Sequence, residues 1–269
     1  MRALFSLLVL SLITLPAAAQ NVRVLADDEA CDRSGWGDRN TERYCEVREI
    51  TLPANRDLIR VDGGKNGGIR VEGWNRKEML IRAIVTATDR TEDAARERVD
   101  EIDIKTNGTI EADLPENRSR GKYWTSVSFE IFVPRTSNLS LDASNGGIHI
   151  ANIDGDVRFE TTNGGVKLID LAGDIRGHTT NGGVDIELTG SAWKGEALDV
   201  ETTNGGVEIR VPEDYSARLE AGTTNGGIRF DFPVMVQGQL NKRISIDLGD
   251  GGNTVRAVTT NGGVRVRRS

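Results

Sequence analysis

Helix-forming runs are scarce in this 269-residue chain, and so are aromatic rings, cysteines and histidines. Beyond residue 15 no apolar stretch is long enough to cross a bilayer as a helix, which excludes a membrane-spanning segment from the body of the chain. Positive charge is in deficit. A net charge of −7 argues against nucleic acid as a partner and against tight association with an anionic membrane surface. The two histidines, His149 and His178, fall at ordinary strand positions, and the carboxylates are scattered singly among Lys and Arg. No catalytic residue is assigned on that pattern, because acid–base chemistry needs groups that converge. Calcium-binding β-rolls need G-G-x-G-x-D, which the chain does not follow, so neither metal nor cofactor is expected.

The first residues, MRALFSLLVLSLITLPAAAQ, have the form of a secretory signal peptide. Arg2 supplies the charge, Ala3 to Leu15 the apolar core, and Ala17-Ala18-Ala19 the cleavage site before Gln20. Export follows, to the periplasm or outside the cell. In an exported protein the close pair Cys31 and Cys45 predicts a disulfide, worth about 3 kcal/mol for a loop of this size.

Glycine is abundant, with 31 residues, and it is ordered. TTNGG occurs at 161–165, 179–183, 202–206, 223–227 and 259–263, and SNGG at 144–147. The asparagines of this motif are Asn145, Asn163, Asn181, Asn204, Asn225 and Asn261. Their spacings are 18, 18, 23, 21 and 36. A period of 18 with insertions marks a stacked array, and 36 reads as two coils with one corner skipped. Gly249-Asp250-Gly251-Gly252-Asn253 then stands as a variant turn at the skipped corner. Within a unit, apolar residues alternate with polar ones, so each coil is strand, turn, strand, turn. The first Thr of each pair falls on the apolar parity and the second on the outer one. Strands stacked about 4.8 Å apart bring the asparagines into a column able to pass amide hydrogen bonds from coil to coil.

The N-terminal half repeats the theme loosely. Asn66-Gly67-Gly68 opens one strand, 79–86 and 127–133 form others, and a single helix follows Asp89, which is expected to cap it with Glu92 as return partner. Ala95, Val99 and Ile102 mark its buried face. Four segments result: a leader over 1–19, a disulfide-containing segment over 20–50, a β-rich subdomain with one helix over 51–135, and a solenoid over 136–269. Trp193 and Tyr215 lie in the two insertions of the repeat, where a solenoid commonly places binding loops, and are the candidate ligand contacts.

The segments CEVRE at 45–49, NGGIRVEGW at 66–74, the strand at 127–133 ending in VPR, WKG at 193–195 and VPEDYSARLE at 211–220, together with the NGG turns, resemble the DUF4097 β-strand repeat family of exported bacterial proteins assigned as adhesins. The resemblance covers nearly all of the mature chain. It implies an all-β, right-handed parallel β-solenoid with coils of about 18 residues and a β-rich N-terminal part. The family's name implies adhesion, and the regular array with no catalytic cluster points to a non-catalytic binding or scaffold role, with a surface polysaccharide, an envelope component or another protein as partner. The alternative is a polysaccharide lyase or hydrolase, which would require Asp185, Glu208 and their neighbours to converge in a groove.

Overall fold

The computed structural model describes residues 22–26, 28–32, 41–54, 57–114, 123–234 and 242–269. The expected leader over 1–19 lies outside the described residues. The chain opens with β1 (Val22–Leu25), α1 (Glu29–Asp32), β2 (Glu42–Pro53), β3 (Ile59–Asp62), β4 (Ile69–Trp74) and β5 (Glu78–Asp89). The helix α2 (Glu92–Asp100) precedes β6 (Asp103–Lys105), β7 (Thr109–Asp113) and β8 (Thr125–Pro134). Then come β9 (Leu139–Ala143), β10 (Ile148–Asp154), β11 (Val157–Thr161), β12 (Val166–Ala172), β13 (Asp174–Asn181) and β14 (Val184–Glu187). The last are β15 (Ala197–Asn204), β16 (Val207–Val211), β17 (Ala217–Asn225), β18 (Ile228–Phe230), β19 (Arg243–Leu248), β20 (Thr254–Asn261) and β21 (Val264–Arg268). No helix among the described residues is long and apolar enough to cross a membrane.

The strands form two sheets. The first has the order β1-β2-β5-β8-β4-β10-β12-β14-β16-β21-β18, the second β19-β17-β20-β15-β13-β11-β9-β3-β7-β6. Each rung is one strand of the second sheet, an Asn-Gly-Gly corner, and one strand of the first. Neighbouring rungs pair in parallel, as Val157 with Ile175 and Val166 with Val184. This is a β-solenoid-like fold. Val, Ile and Leu at alternate positions point between the sheets, where Leu141, Ile150, Ile175, Leu198, Val255 and Val266 have no exposed surface. No single rung could cover these side chains. Stacking does, so stability is shared along the array.

Three ladders hold the corners. Asn163 Nδ2 donates to Asn145 Oδ1 at 2.7 Å, Asn181 to Asn163 at 2.8 Å and Asn204 to Asn181 at 2.8 Å. The column extends upstream to Asn66, which accepts from Asn145 at 3.4 Å. The first glycine of each corner rests on the one beneath it. A Cβ placed on Gly164 would lie 2.1 Å from the Gly146 carbonyl oxygen, and one on Gly182 would lie 2.0 Å from that of Gly164. The carbonyls buried by this approach are satisfied from the side. Thr161 Oγ1 donates to Gly146 O at 2.8 Å, Thr179 to Gly164 O at 2.9 Å and Thr202 to Gly182 O at 2.7 Å. The buried threonine is therefore the donor that the corner backbone lacks.

The rung order departs from chain order at both ends, and here the reading of a skipped corner between Asn225 and Asn261 is corrected. From β18 the chain returns as β19, antiparallel to β17 on its outer edge. A turn with Gly249, Gly251 and Gly252 at φ of 55°, 75° and 126° reverses it. β20 then enters between β15 and β17, and β21 between β16 and β18. The asparagine column thus runs Asn204, Asn261, Asn225, with Asn261 donating to Asn204 and Asn225 to Asn261, each at 2.8 Å. Residues 249–253 are the return turn, pinned by Asp250 N–H to Ser216 Oγ at 3.2 Å and by Asn253 Nδ2 to Gly195 O at 2.7 Å. At the other end β3 and β4 lie between β7–β8 and β9–β10. Segments 51–135 and 136–269 therefore share both sheets, through β4 with β10 and β3 with β9.

Antiparallel strands β5, β2 and β1 continue the first sheet at the N-terminal end, with α2 packed on β2 and β5. The helix cap is Thr91, not Asp89: Thr91 Oγ1 accepts the Ala94 N–H at 3.2 Å, while Asp89 is drawn away into an ion pair with Arg98. Arg48 Nη2 donates to Val99 O at 2.8 Å near the helix C-terminus, the end that favours a cation. Cys31 and Cys45 are joined in a disulfide between α1 and β2, with Cα atoms 5.8 Å apart.

The corner geometry separates its two glycines sharply. Gly164→Ala is expected to lower unfolding free energy by about 3 kcal/mol, at the upper end for overpacking, while Gly165→Ala leaves it within about 0.5 kcal/mol; denaturant titration of both variants measures this. Thr179→Val keeps the shape but strands the Gly164 carbonyl, and about 2 kcal/mol is expected to be lost in the same assay.

Candidate functional site

The second glycine of each corner behaves differently from the first. At Gly165, Gly183 and Gly206 an added Cβ would meet its nearest atom at 3.6, 3.4 and 3.5 Å, which is van der Waals contact, and at Gly227 it would meet nothing. None of these residues has a positive φ. Neither packing nor backbone conformation requires glycine at these four corners, whereas at Gly68, Gly147 and Gly263 an added Cβ would press on a backbone oxygen at 3.3, 3.0 and 3.3 Å.

These glycines floor a groove of about 900 Å³ on the outer face of the first sheet, running across β12, β14, β16, β21 and β18. A smaller cavity of about 380 Å³ continues it over β10, β4 and β8, sharing Gly165 and Lys167. The carbonyls of the floor are taken: Val166 N–H donates to Gly183 O at 2.9 Å, Val184 to Gly206 O at 2.9 Å and Val207 to Gly263 O at 2.9 Å. The N–H groups of Gly147, Gly165, Gly183, Gly206, Gly227 and Gly263 have no protein acceptor among the described residues. The floor is thus a row of exposed donors, one per rung, at the ~4.8 Å spacing of the strands.

The residue two positions after each of these glycines points outward and walls the groove. Along the stack these are Arg70, His149, Lys167, Asp185, Glu208, Arg265 and Arg229. Asp185 and Glu208 face one another across β14 and β16. The structure therefore brings together the two carboxylates that an enzyme would need, but Arg210 spans them: Nη2 lies 2.8 Å from Asp185, Nε 3.4 Å from Glu208 and Nη1 2.9 Å from Glu187. Burial on its own would lower the Arg210 pKa, but the surrounding carboxylates outweigh it and raise it. A guanidinium engaged with both acids is not the arrangement of a glycosidase pair, in which one carboxyl is shielded from cations so that it holds a proton. Arg265 is bonded to Asp231 at 2.7 Å, while Lys167 has no ion pair or hydrogen bond among the described residues. His149 is pulled down to about 4 by burial and by the neighbouring Arg70 and Lys167, so it is neutral near pH 7.

Trp193 and Tyr215 are core residues. They are 4% and 2% exposed, and burial raises the tyrosine pKa. The insertions that carry them pair with each other, Ser216 N–H donating to Ser191 O at 2.8 Å. Tyr215 lies where the chain passes over the rung of β20 and β21, whereas Trp193 lies between two adjacent rungs, and both rings pack into the core. Asn145, Asn163, Asn181, Asn204, Asn225 and Asn261 are all in the corner ladder.

A family profile described as Toastrack DUF4097 matches residues 103–267. No curated protein matches the chain. Among solved structures, a proposed cell adhesion protein from Clostridium sporogenes is similar at 11% identity and a TM-score of 0.45, over 85% of this chain and 100% of that one. A proposed adhesin from Bacteroides fragilis is similar at 10% identity and a TM-score of 0.39, over 86% and 98%. A proposed lipid binding protein from Parabacteroides distasonis is similar at 9% identity and a TM-score of 0.28, over 85% and 98%.

Proposed function

The chain belongs to the Toastrack DUF4097 family, and from that premise we propose that it is an exported, non-catalytic binding protein whose glycine-floored groove holds a linear polysaccharide. The observation that carries this reading is the second corner glycine at Gly165, Gly183, Gly206 and Gly227, which packing does not demand and which keeps the groove bare. Export rests on the leader at 1–19, and the protein acts in the periplasm or outside the cell.

The hydrogen-bonding character of the floor supports a polysaccharide over the other partners of an exported scaffold. Its carbonyls are spent within the sheet, so it offers donors and no acceptors. A peptide laid along it would leave its own N–H groups unpaired, at a cost of about 1–3 kcal/mol each. A sugar chain presents ring, hydroxyl and carbonyl oxygens and meets a row of donors without that penalty. Nucleic acid is disfavoured by Asp185 and Glu208 at mid-groove and by the net charge. The mixed charges of the wall suit hydroxyl groups of either polarity.

The test is a triple variant, Gly165→Ala, Gly183→Ala and Gly206→Ala, compared with the wild type on an array of linear polysaccharides. The three methyl groups are tolerated by the stack and raise the floor. The expected result is an unchanged thermal midpoint with binding lost at least about tenfold, the effect of a displaced hydrogen-bonded contact. Equal binding by both proteins, or no binding of any linear polysaccharide by the wild type, removes the proposal.

A further inference from the structure

We propose that Arg70, His149 and Lys167 form an oxyanion subsite where the smaller cavity joins the groove, taking a carboxylate or phosphate group borne by the bound chain. The proposal rests on the polysaccharide reading for the origin of the anion, but not for the existence of the subsite.

The three side chains stand side by side on β4, β10 and β12, Arg70 paired in register with His149 and His149 with Lys167. Arg70 Nη1 lies 2.8 Å from His149 Nδ1. A guanidinium has no acceptor, so Nδ1 accepts and the proton of the neutral ring is on Nε2, as a further donor. Ser128, on β8, accepts the Gly68 N–H at 3.2 Å, which leaves its hydroxyl hydrogen able to donate into the same cavity. Lys167 has no partner among the described residues.

The acid nearest to this cluster is already committed. Glu130 lines the cavity but is bonded to Arg82, which is also held by Asp28 and by Glu49 at 3.2 Å. Its approach to Arg70 is only 3.9 Å. Four strands therefore direct donors at one volume and two of the groups are cations, against which the carboxylate of Glu130, shared with Arg82, is the acidic group lining the cavity. Water can fill such a volume, but an oxyanion matches both its charge and its donor count. The low pKa of His149 agrees with that excess of positive charge: burial is the larger cause, and Arg70 and Lys167 follow. Farther along the wall Arg265 is matched by Asp231, and Arg210 beside it by Asp185 and Glu208; Arg229, at the far end, has no ion pair or hydrogen bond among the described residues.

The imidazole proton resonances of His149 and His178 supply the test. The pH titration of His149 is followed alone, with sodium glucuronate, and with inorganic phosphate, at constant ionic strength set by sodium chloride. An anion between Arg70 and Lys167 offsets their field and favours the imidazolium, so the His149 pKa is expected to rise by about one unit. His178, on the opposite sheet, stays fixed and reports that the fold is intact. Lys167→Gln is expected to weaken the anion about tenfold, the loss of one charged hydrogen bond. A response to glucuronate assigns the group to an acidic sugar, and a response to phosphate assigns it to a phosphorylated chain. No movement of His149 with either anion overturns the subsite, as does an undiminished response in Lys167→Gln. The readout uses monovalent probes, so it stands whether or not a polymer occupies the glycine floor.

Discussion

The contact on which the rest of the molecule depends is backbone against backbone. At every corner the first glycine rests on the carbonyl of the corner beneath, at a separation that would put a Cβ about 2 Å from that oxygen. This approach fixes the path of each rung over the last. It also creates a problem, since a carbonyl so covered cannot be reached by a neighbouring strand's N–H. The inward threonine solves it by donating its hydroxyl, and the outward asparagine adds an amide chain along the edge. Motif, period and sheet register are three consequences of one close approach.

Much of this was legible in the residues. Alternation gave the strands and their inward faces, and the 18-residue period gave the stacking. The asparagine column and the Cys31–Cys45 bridge follow from spacing and compartment. The order of rungs was not legible, because TTNGG at 259–263 is the same motif as the others. A motif that fits any rung carries no information about which rungs it joins. The helix cap was placed on Asp89 because Asp89 and Thr91 both suit the role, and only the tertiary ion pair with Arg98 decides between them. Trp193 and Tyr215 do lie between strands, but the sequence does not reveal that these loops fold inward and bury their rings, nor that the loop of Tyr215 passes over an inserted rung.

The groove escaped sequence reading for a related reason. Asn-Gly-Gly is a good turn, and a good turn accounts for both glycines. Only the stacking of one corner on the next makes the first glycine obligatory and leaves its neighbour optional at residues 165, 183, 206 and 227. The same separation divides the charged wall. Arg210 balances its acids within the protein, whereas Lys167 has no ion pair or hydrogen bond among the described residues. Residues that fold the protein and residues free to meet something else stand one or two positions apart on every rung.

The placement of β20 and β21 bears on how the molecule is made. A chain that leaves a ribosome or a translocation pore from its N-terminus delivers these strands after β17 and β18, yet they lie inside the array with a rung on either side. A solenoid built in chain order could close as it emerged; this one is left with a gap, or with β17 provisionally resting on β15, until β20 and β21 arrive. Closure of the array therefore waits on these two strands, which act as its keystone.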